Sequence, residues 1–115
     1  MTASPIVIED DHLAPLDAAA GERLQMLVFS ATWCGPCTAM APVIEDIARS
    51  YAGEVAVAKI DIERSPEIVK AFDVRAVPTL VLRRGAEIDR HVGALTRTRL
   101  ALMLDAALES GSASA

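Results

Sequence analysis

The chain has 115 residues, 52% of them hydrophobic and 3% aromatic, and its 11 basic and 16 acidic residues give a formal charge of −5. This length suits one domain with a single core, which aliphatic side chains must fill because aromatic ones are scarce. No basic cluster indicates a nucleic-acid or anionic-membrane surface, and no apolar stretch approaches the roughly 18 residues of a membrane span.

The spacing of apolar residues predicts an alternation of strands and helices. In chain order these are a strand at 6–8, a weak helix at 13–20, a strand at 24–31, a helix at 37–51, a strand at 55–62, a short helix at 66–72, two strands at 79–82 and 87–92, and a last helix capped by Thr96 or Thr98. Ser65 is predicted to be the N-cap of the short helix, Pro42 should kink the long one, and residues 84–86 are typical of a hairpin turn.

The order β-α-β-α-β-α-β-β-α predicts an α/β domain in which helices flank a central mixed sheet. We expect this domain to span residues 1–109. Residues 110–115 form a short polar tail, which we expect to be disordered.

Both cysteines of the chain, Cys34 and Cys37, lie where a buried strand gives way to a helix. A Cys-x-x-Cys at such a junction in a βαβ pattern is the signature of a thiol–disulfide redox site. Two other interpretations stay open, an inert structural disulfide and half of a zinc site, but His12 and His91 lack metal spacing and we expect no metal. An acidic start unlike a secretory signal, with no further cysteines, favours a cytoplasmic location, although a trimmed signal would leave the same sequence.

Position along the helix assigns each cysteine a predicted role. Cys34 at the helix N-terminus should be exposed and should favour the thiolate, because free amide N–H groups and the helix dipole stabilise negative charge there. Cys37 lies one turn on and heads the apolar stripe of the helix, so it should be buried and resolve the mixed disulfide. Gly35 and Pro36 fill the turn between them.

The chain resembles the thioredoxin family over nearly its whole length. The matching features are the segment from Trp33 to Cys37, the helix-kinking Pro42, residues 55–61 of the third strand, the Val77-Pro78-Thr79 loop, and Gly85 with residues 92–95. Only about the first twenty residues match weakly.

The resemblance implies the thioredoxin fold and a shallow apolar groove that binds an extended substrate segment through the backbone of Val77. The residues implied to form the groove are Trp33, Ala76, Val77, Pro78, Gly93 and Ala94, with Pro78 in the cis form. It also implies that the protein reduces disulfide-containing proteins and receives electrons from NADPH through a flavoprotein reductase. Separately, the small size and solvated surface favour a monomer, and no bound cofactor is expected because the two cysteines carry the electrons.

The sequence departs from the family at three positions near this site, Val28, Ser30 and Thr38. Val28 stands where the family carries a buried aspartate that moves the proton of the resolving cysteine, and Lys59 matches the lysine beside that aspartate. Without its partner, Lys59 should reach solvent, pair elsewhere or have a lowered pKa, and it is a candidate for proton transfer or for tuning a thiol pKa. Ser30 and Thr38 replace a tryptophan and a lysine that many relatives carry.

The main prediction is therefore a cytoplasmic protein-disulfide reductase that works by dithiol–disulfide exchange. One alternative is a dedicated electron donor to a single partner, whose rate or potential is altered because Val28 replaces the acid. The other is a groove-binding module in which redox turnover is incidental.

Overall fold

A computed structural model describes residues 4–113 of the chain, with side chains to residue 110. The elements are β1 (Ile6–Ile8), α1 (Ala14–Ala20), β2 (Leu24–Ser30), α2 (Gly35–Ser50), β3 (Val55–Asp61), α3 (Pro66–Ala71), β4 (Thr79–Arg84), β5 (Ala86–Val92) and α4 (Arg97–Ala113). Their order is the predicted one, and the thioredoxin fold is confirmed. Within residues 4–113, no helix is both long and apolar enough to cross a bilayer.

The five strands form one mixed sheet in the order β1-β3-β2-β4-β5. β1, β3 and β2 run parallel, whereas β4 runs antiparallel to β2 and pairs with β5 in a hairpin. Gly85 makes the hairpin turn at a φ of +75°, a conformation that side chains with a Cβ rarely adopt. Because β2 is central and β3 is its parallel neighbour, the loops that follow both strands leave the sheet at the same edge.

The core has two layers, one on each face of the sheet, because successive strand residues point to opposite faces. On β2, Met26 and Val28 face α2 and α4, while Leu27 and Phe29 face α1 and α3. The same alternation on β3 places Lys59 on the α2 face with Val55 and Val57. That face therefore carries the long helix together with Val28 and Lys59.

The first turn of α3 differs from the prediction. Ser65 does occupy the N-cap position, but its side chain makes no capping hydrogen bond, and its buried Oγ has no hydrogen-bond partner among residues 4–113. Asp11 caps the helix instead: its two carboxylate oxygens accept hydrogen bonds from the backbone N–H groups of Glu67, at 2.9 Å, and Ile68, at 3.1 Å. A carboxylate accepts two orphan donors where a hydroxyl accepts one, and it also matches the helix dipole.

The start of the last helix, α4, agrees with the prediction, whereas its end lies further along the chain than predicted. Thr96 is the capping threonine, because its Oγ1 accepts a hydrogen bond from the Arg99 N–H at 3.2 Å. The helix continues to Ala113, so residues 110–113, expected in a disordered tail, are helical here. Each added residue of an established helix gains a backbone hydrogen bond, which offsets the modest propensity cost of serine and glycine. The rest of the expected tail, residues 114–115, lies outside the described residues.

Candidate active site

A disulfide between Cys34 and Cys37 stands at the N-terminus of α2, with Cα atoms 5.3 Å apart. Cys34 is the N-cap residue, and its Sγ accepts a hydrogen bond from the backbone N–H of Cys37 at 3.2 Å. Gly35 and Pro36 form the first turn, where a missing proline N–H leaves no helical bond unmade. In the reduced state the same N–H group and the helix dipole would favour a thiolate on Cys34.

The exposure of the two cysteines is opposite to the prediction. Cys34 is only 5% exposed, whereas Cys37 is half-buried. The N-cap geometry explains the first value, because it folds the Cys34 side chain back over the helix start. The second value follows from the surroundings of Cys37, which lines a cavity rather than packing fully into the core.

This cavity lies between α2 and the sheet and has a volume of about 210 Å³. We call it the rear cavity, and it is lined by Val28, Ser30, Ala31, Cys37, Thr38, Met40, Ala41, Ile44, Lys59 and Pro78. Val28 and Ser30 contribute to its wall from β2, and the small side chain of Ser30 takes up little of the space.

Lys59 is beside Val28, as the resemblance implied. The two residues are register partners on the parallel strands β3 and β2. Lys59 is half-buried, and among the described residues its ammonium makes neither an ion pair nor a hydrogen bond. Lys59 therefore does not pair with another acid within residues 4–113, which is one of the three expected outcomes. Its charge borders the rear cavity instead.

The predicted groove residues lie around the cis peptide bond between Val77 and Pro78. The Gly93 N–H donates to the Pro78 carbonyl at 2.8 Å, which fixes the 93–94 segment beside the loop. Gly93 has a φ of +105°, so a side chain at this position would strain the backbone. Ala76 and Ala94 are exposed next to them. Neither backbone group of Val77 is hydrogen-bonded within the part of the chain described.

Trp33 completes this surface and reveals a residue that the sequence did not single out. Its side chain is 66% exposed, and its Nε1–H donates to Glu63 Oε1 at 3.0 Å. Glu63 follows β3, and Trp33 follows β2, so the shared edge of the parallel strands brings them together. The strand order could have suggested this proximity, since loops that follow neighbouring parallel strands meet at one edge.

The structure gives no support to metal binding by the remaining candidate ligands. Within residues 4–113 no group of three or more His, Cys, Asp or Glu side chains could hold a metal ion. His12 is exposed in the loop before α1, and His91 is half-buried on β5 opposite Leu80.

Comparisons with known proteins agree with this geometry. The Thioredoxin family profile matches residues 13–106. Thioredoxin from Staphylococcus aureus is 36% identical over 93 residues, which cover 80% of this chain and 89% of that protein. A mutant thioredoxin from Halobacterium salinarum NRC-1 superposes with a TM-score of 0.81 at 30% identity, covering 91% of each chain. The germline-specific thioredoxin Deadhead from Drosophila melanogaster gives a TM-score of 0.73 at 35% identity, covering 76% of this chain and 84% of its own.

The family match and the close cysteine pair together establish the class of chemistry. Members of this family exchange a dithiol for a disulfide, and here Cys34 and Cys37 are the two cysteines at bonding distance. Thiol–disulfide oxidoreductase activity therefore follows, and the chain belongs to the thioredoxin family.

Proposed function

We propose that the chain reduces disulfides of other proteins, with Cys34 as the nucleophile and Cys37 as the resolving cysteine. The observation that carries this assignment is the hydrogen bond from the Cys37 N–H to Cys34 Sγ at the start of α2. This donor stabilises negative charge on Cys34, whereas Cys37 lies inside the first turn. Trp33, Gly35 and Pro36 hold the turn in which the two sulfurs meet.

The reaction proceeds by two sulfur exchanges. The Cys34 thiolate attacks one sulfur of the partner's disulfide, forming a mixed disulfide and releasing the partner's second sulfur as a thiolate. Cys37 loses its proton and attacks Cys34 Sγ, so the partner leaves with both sulfurs reduced. Two electrons have then passed from the protein dithiol to the partner, and the Cys34–Cys37 disulfide remains.

The substrate segment binds across the groove formed by Ala76, Val77, Pro78, Gly93 and Ala94. The N–H and carbonyl of Val77, which make no hydrogen bond within the described residues, can pair with an extended segment, as a strand added to a sheet edge does. Trp33, held by Glu63, supplies an exposed apolar contact beside the disulfide. Backbone pairing fits substrates that differ in sequence, because it does not depend on their side chains.

Resolution requires a different proton acceptor from the family's aspartate, since Val28 has no ionisable group. We assign this step to water in the rear cavity, with the Lys59 ammonium stabilising the Cys37 thiolate as it forms. Cys37 and Lys59 both line the rear cavity, on the side of the sheet that α2 covers. Resolution should therefore be slower than in a variant that carries the acid.

The wider setting is proposed from the family. The domain works as a monomer in the cytoplasm without a bound cofactor, because the two cysteines carry the electrons themselves. An NADPH-dependent flavoprotein reductase restores the dithiol, and disulfide-containing proteins are the substrates.

Reduction of insulin disulfides in the presence of dithiothreitol tests the activity. The native chain should accelerate precipitation of the insulin B chain, and Cys34→Ser should abolish the acceleration. Cys37→Ser should instead accumulate a mixed disulfide with the substrate, detected by mass under non-reducing conditions. A folded native chain that gives no acceleration, or a Cys34→Ser variant that keeps it, would refute the assignment.

A further inference from the structure

The rear cavity gives the disulfide a second approach, separate from the substrate groove. Of the two bonded cysteines, Cys37 is the more exposed and is the one in the cavity wall, whereas Cys34 is 5% exposed. A thiolate must reach a sulfur along the S–S direction to displace the other sulfur. A reagent that enters the cavity therefore meets Cys37 rather than Cys34.

The dimensions of the cavity restrict what can enter. Its volume of about 210 Å³ is below the roughly 300–1,000 Å³ of sites for drug-sized ligands. A protein disulfide, which is attached to a folded chain on both sides, cannot enter such a space. A thiol with only a few non-hydrogen atoms can.

The charge of the cavity wall selects further among small thiols. Lys59 is the one charged side chain among the described residues that line it, and its ammonium has no partner within them. Val28, Met40 and Ile44 make most of the remaining wall apolar, with hydroxyls at Ser30 and Thr38. A short apolar stem with a negative group matches this arrangement, because an unpaired ammonium in a half-buried site attracts an anion.

We propose that the rear cavity is a subsite for a small anionic thiol, which reduces the disulfide by attacking Cys37. This inference rests on the proposed redox function and adds a reductant to it. The thiolate sulfur bonds to Cys37 Sγ as the Cys34–Cys37 bond breaks, and Cys34 leaves as a thiolate. A second small thiolate attacks the first one's sulfur, which releases Cys37 as a thiolate. Two small thiols thus become one small disulfide, and the two thiolates of the protein take up the two protons that the small thiols lost.

The test uses oxidised native protein with two reductants of similar size, mercaptoacetate, which is anionic, and 2-mercaptoethanol, which is neutral. Acid quenching at timed intervals, followed by alkylation and mass spectrometry, measures the loss of the disulfide. Ser30→Trp fills the cavity and should slow both reagents at least tenfold, and Ser30→Leu, a smaller replacement, should slow them less. Leu102→Trp, on an exposed position of α4, is the matched control and should leave both rates unchanged.

Charge and site of attack are measured separately. Lys59→Gln should lower the rate with mercaptoacetate about threefold more than the rate with 2-mercaptoethanol, as expected for a partly solvated charge pair.

Both cysteines lie on one tryptic peptide, residues 24–49, in which fragmentation locates the trapped adduct. An adduct on Cys37 supports the proposal. An adduct on Cys34, or rates that Ser30→Trp and Ser30→Leu leave unchanged, would overturn it.

Attack on insulin by Cys34 separates this proposal from the proposed function. In the Cys37→Ser background, Ser30→Trp should form the mixed disulfide with insulin at a rate within about twofold of Cys37→Ser alone, because protein substrates approach through the groove at Cys34 and this step does not use the rear cavity. Loss of small-thiol sensitivity with this mixed-disulfide formation retained supports the subsite. Full small-thiol reactivity in a native chain that lacks insulin activity would refute the proposed function and leave the subsite standing.

Discussion

Replacement of Val28 by aspartate tests the reasoning about the resolving step most directly. Val28 is 5% exposed and pairs in register with Lys59, so an introduced carboxylate would lie on the α2 face between the lysine and the cavity. From there it can take the proton of Cys37 directly or through one water. We expect Val28→Asp to accelerate decay of the mixed disulfide at neutral pH.

The size of the effect follows from the protonation of a thiol. An ordinary cysteine with a pKa of about 8.5 is roughly 3% thiolate at pH 7, so full deprotonation could raise the rate at most about 30-fold. Because the aspartate would remove the proton of Cys37 only partly, we expect the rate of the resolving step to rise about tenfold. The same substitution should lower the free energy of unfolding by about 3 kcal/mol, since it replaces a buried apolar side chain with a polar one.

Reaction of the reduced protein with Ellman's disulfide separates the two steps. Attack by Cys34 releases the first equivalent of thionitrobenzoate, and resolution by Cys37 releases the second. Val28→Asp should accelerate only the second phase, and the gain should fade above the ordinary thiol pKa. Val28→Asn is the control, because the amide has a similar size but accepts no proton. A second phase equally fast in both folded variants between about pH 6 and pH 8 would refute the proton-transfer argument.

Three further predictions concern stability and ionisation. Asp11→Ala should lower the free energy of unfolding in urea by about 1–2 kcal/mol, because it removes the cap of α3. Burial, followed by the hydrogen bond to Asp105, raises the pKa of Tyr51 above 10.0. Because Tyr51 is the single tyrosine of the chain, a spectrophotometric titration should show this raised pKa. Asp105→Asn should bring the pKa of Tyr51 closer to 10.0. The hydrogen bond from Arg97 holds the pKa of Asp46 below 3.8, so this carboxylate stabilises the fold above that value and loses its contribution as the pH falls through the lower folded pKa.

Each of these predictions has its own control. Asp10→Ala removes an exposed neighbouring acid that caps nothing, and it should change stability by less than about 0.5 kcal/mol. A Tyr51 titration unaffected by Asp105→Asn would contradict a contribution of Asp105 to the raised pKa. Asp46→Asn should be less stable than native at neutral pH, and this gap should narrow at about pH 3; a constant gap would contradict the ionic origin of the contribution.

The sequence by itself determined the order of the elements and the redox pair. Apolar periods of two and of three to four residues are local properties, so they located β2, α2 and β3 before any tertiary contact was known. The position of Cys34 and Cys37 at a strand-to-helix junction is likewise local. The groove around Pro78 came from the resemblance, because nothing local in a Val-Pro-Thr segment brings it to a disulfide forty residues earlier.

Only the tertiary structure decided which side chains meet. Asp11 caps a helix that begins at Pro66, and Glu63 holds Trp33, because parallel neighbours deliver their loops to one edge of the sheet. Cys37 borders a cavity that side chains from β2, β3, α2 and the loop before β4 line together. Whether the space beside a core position is filled depends on side chains from distant segments of the chain. The periodicity of the sequence does not reveal their combined volume.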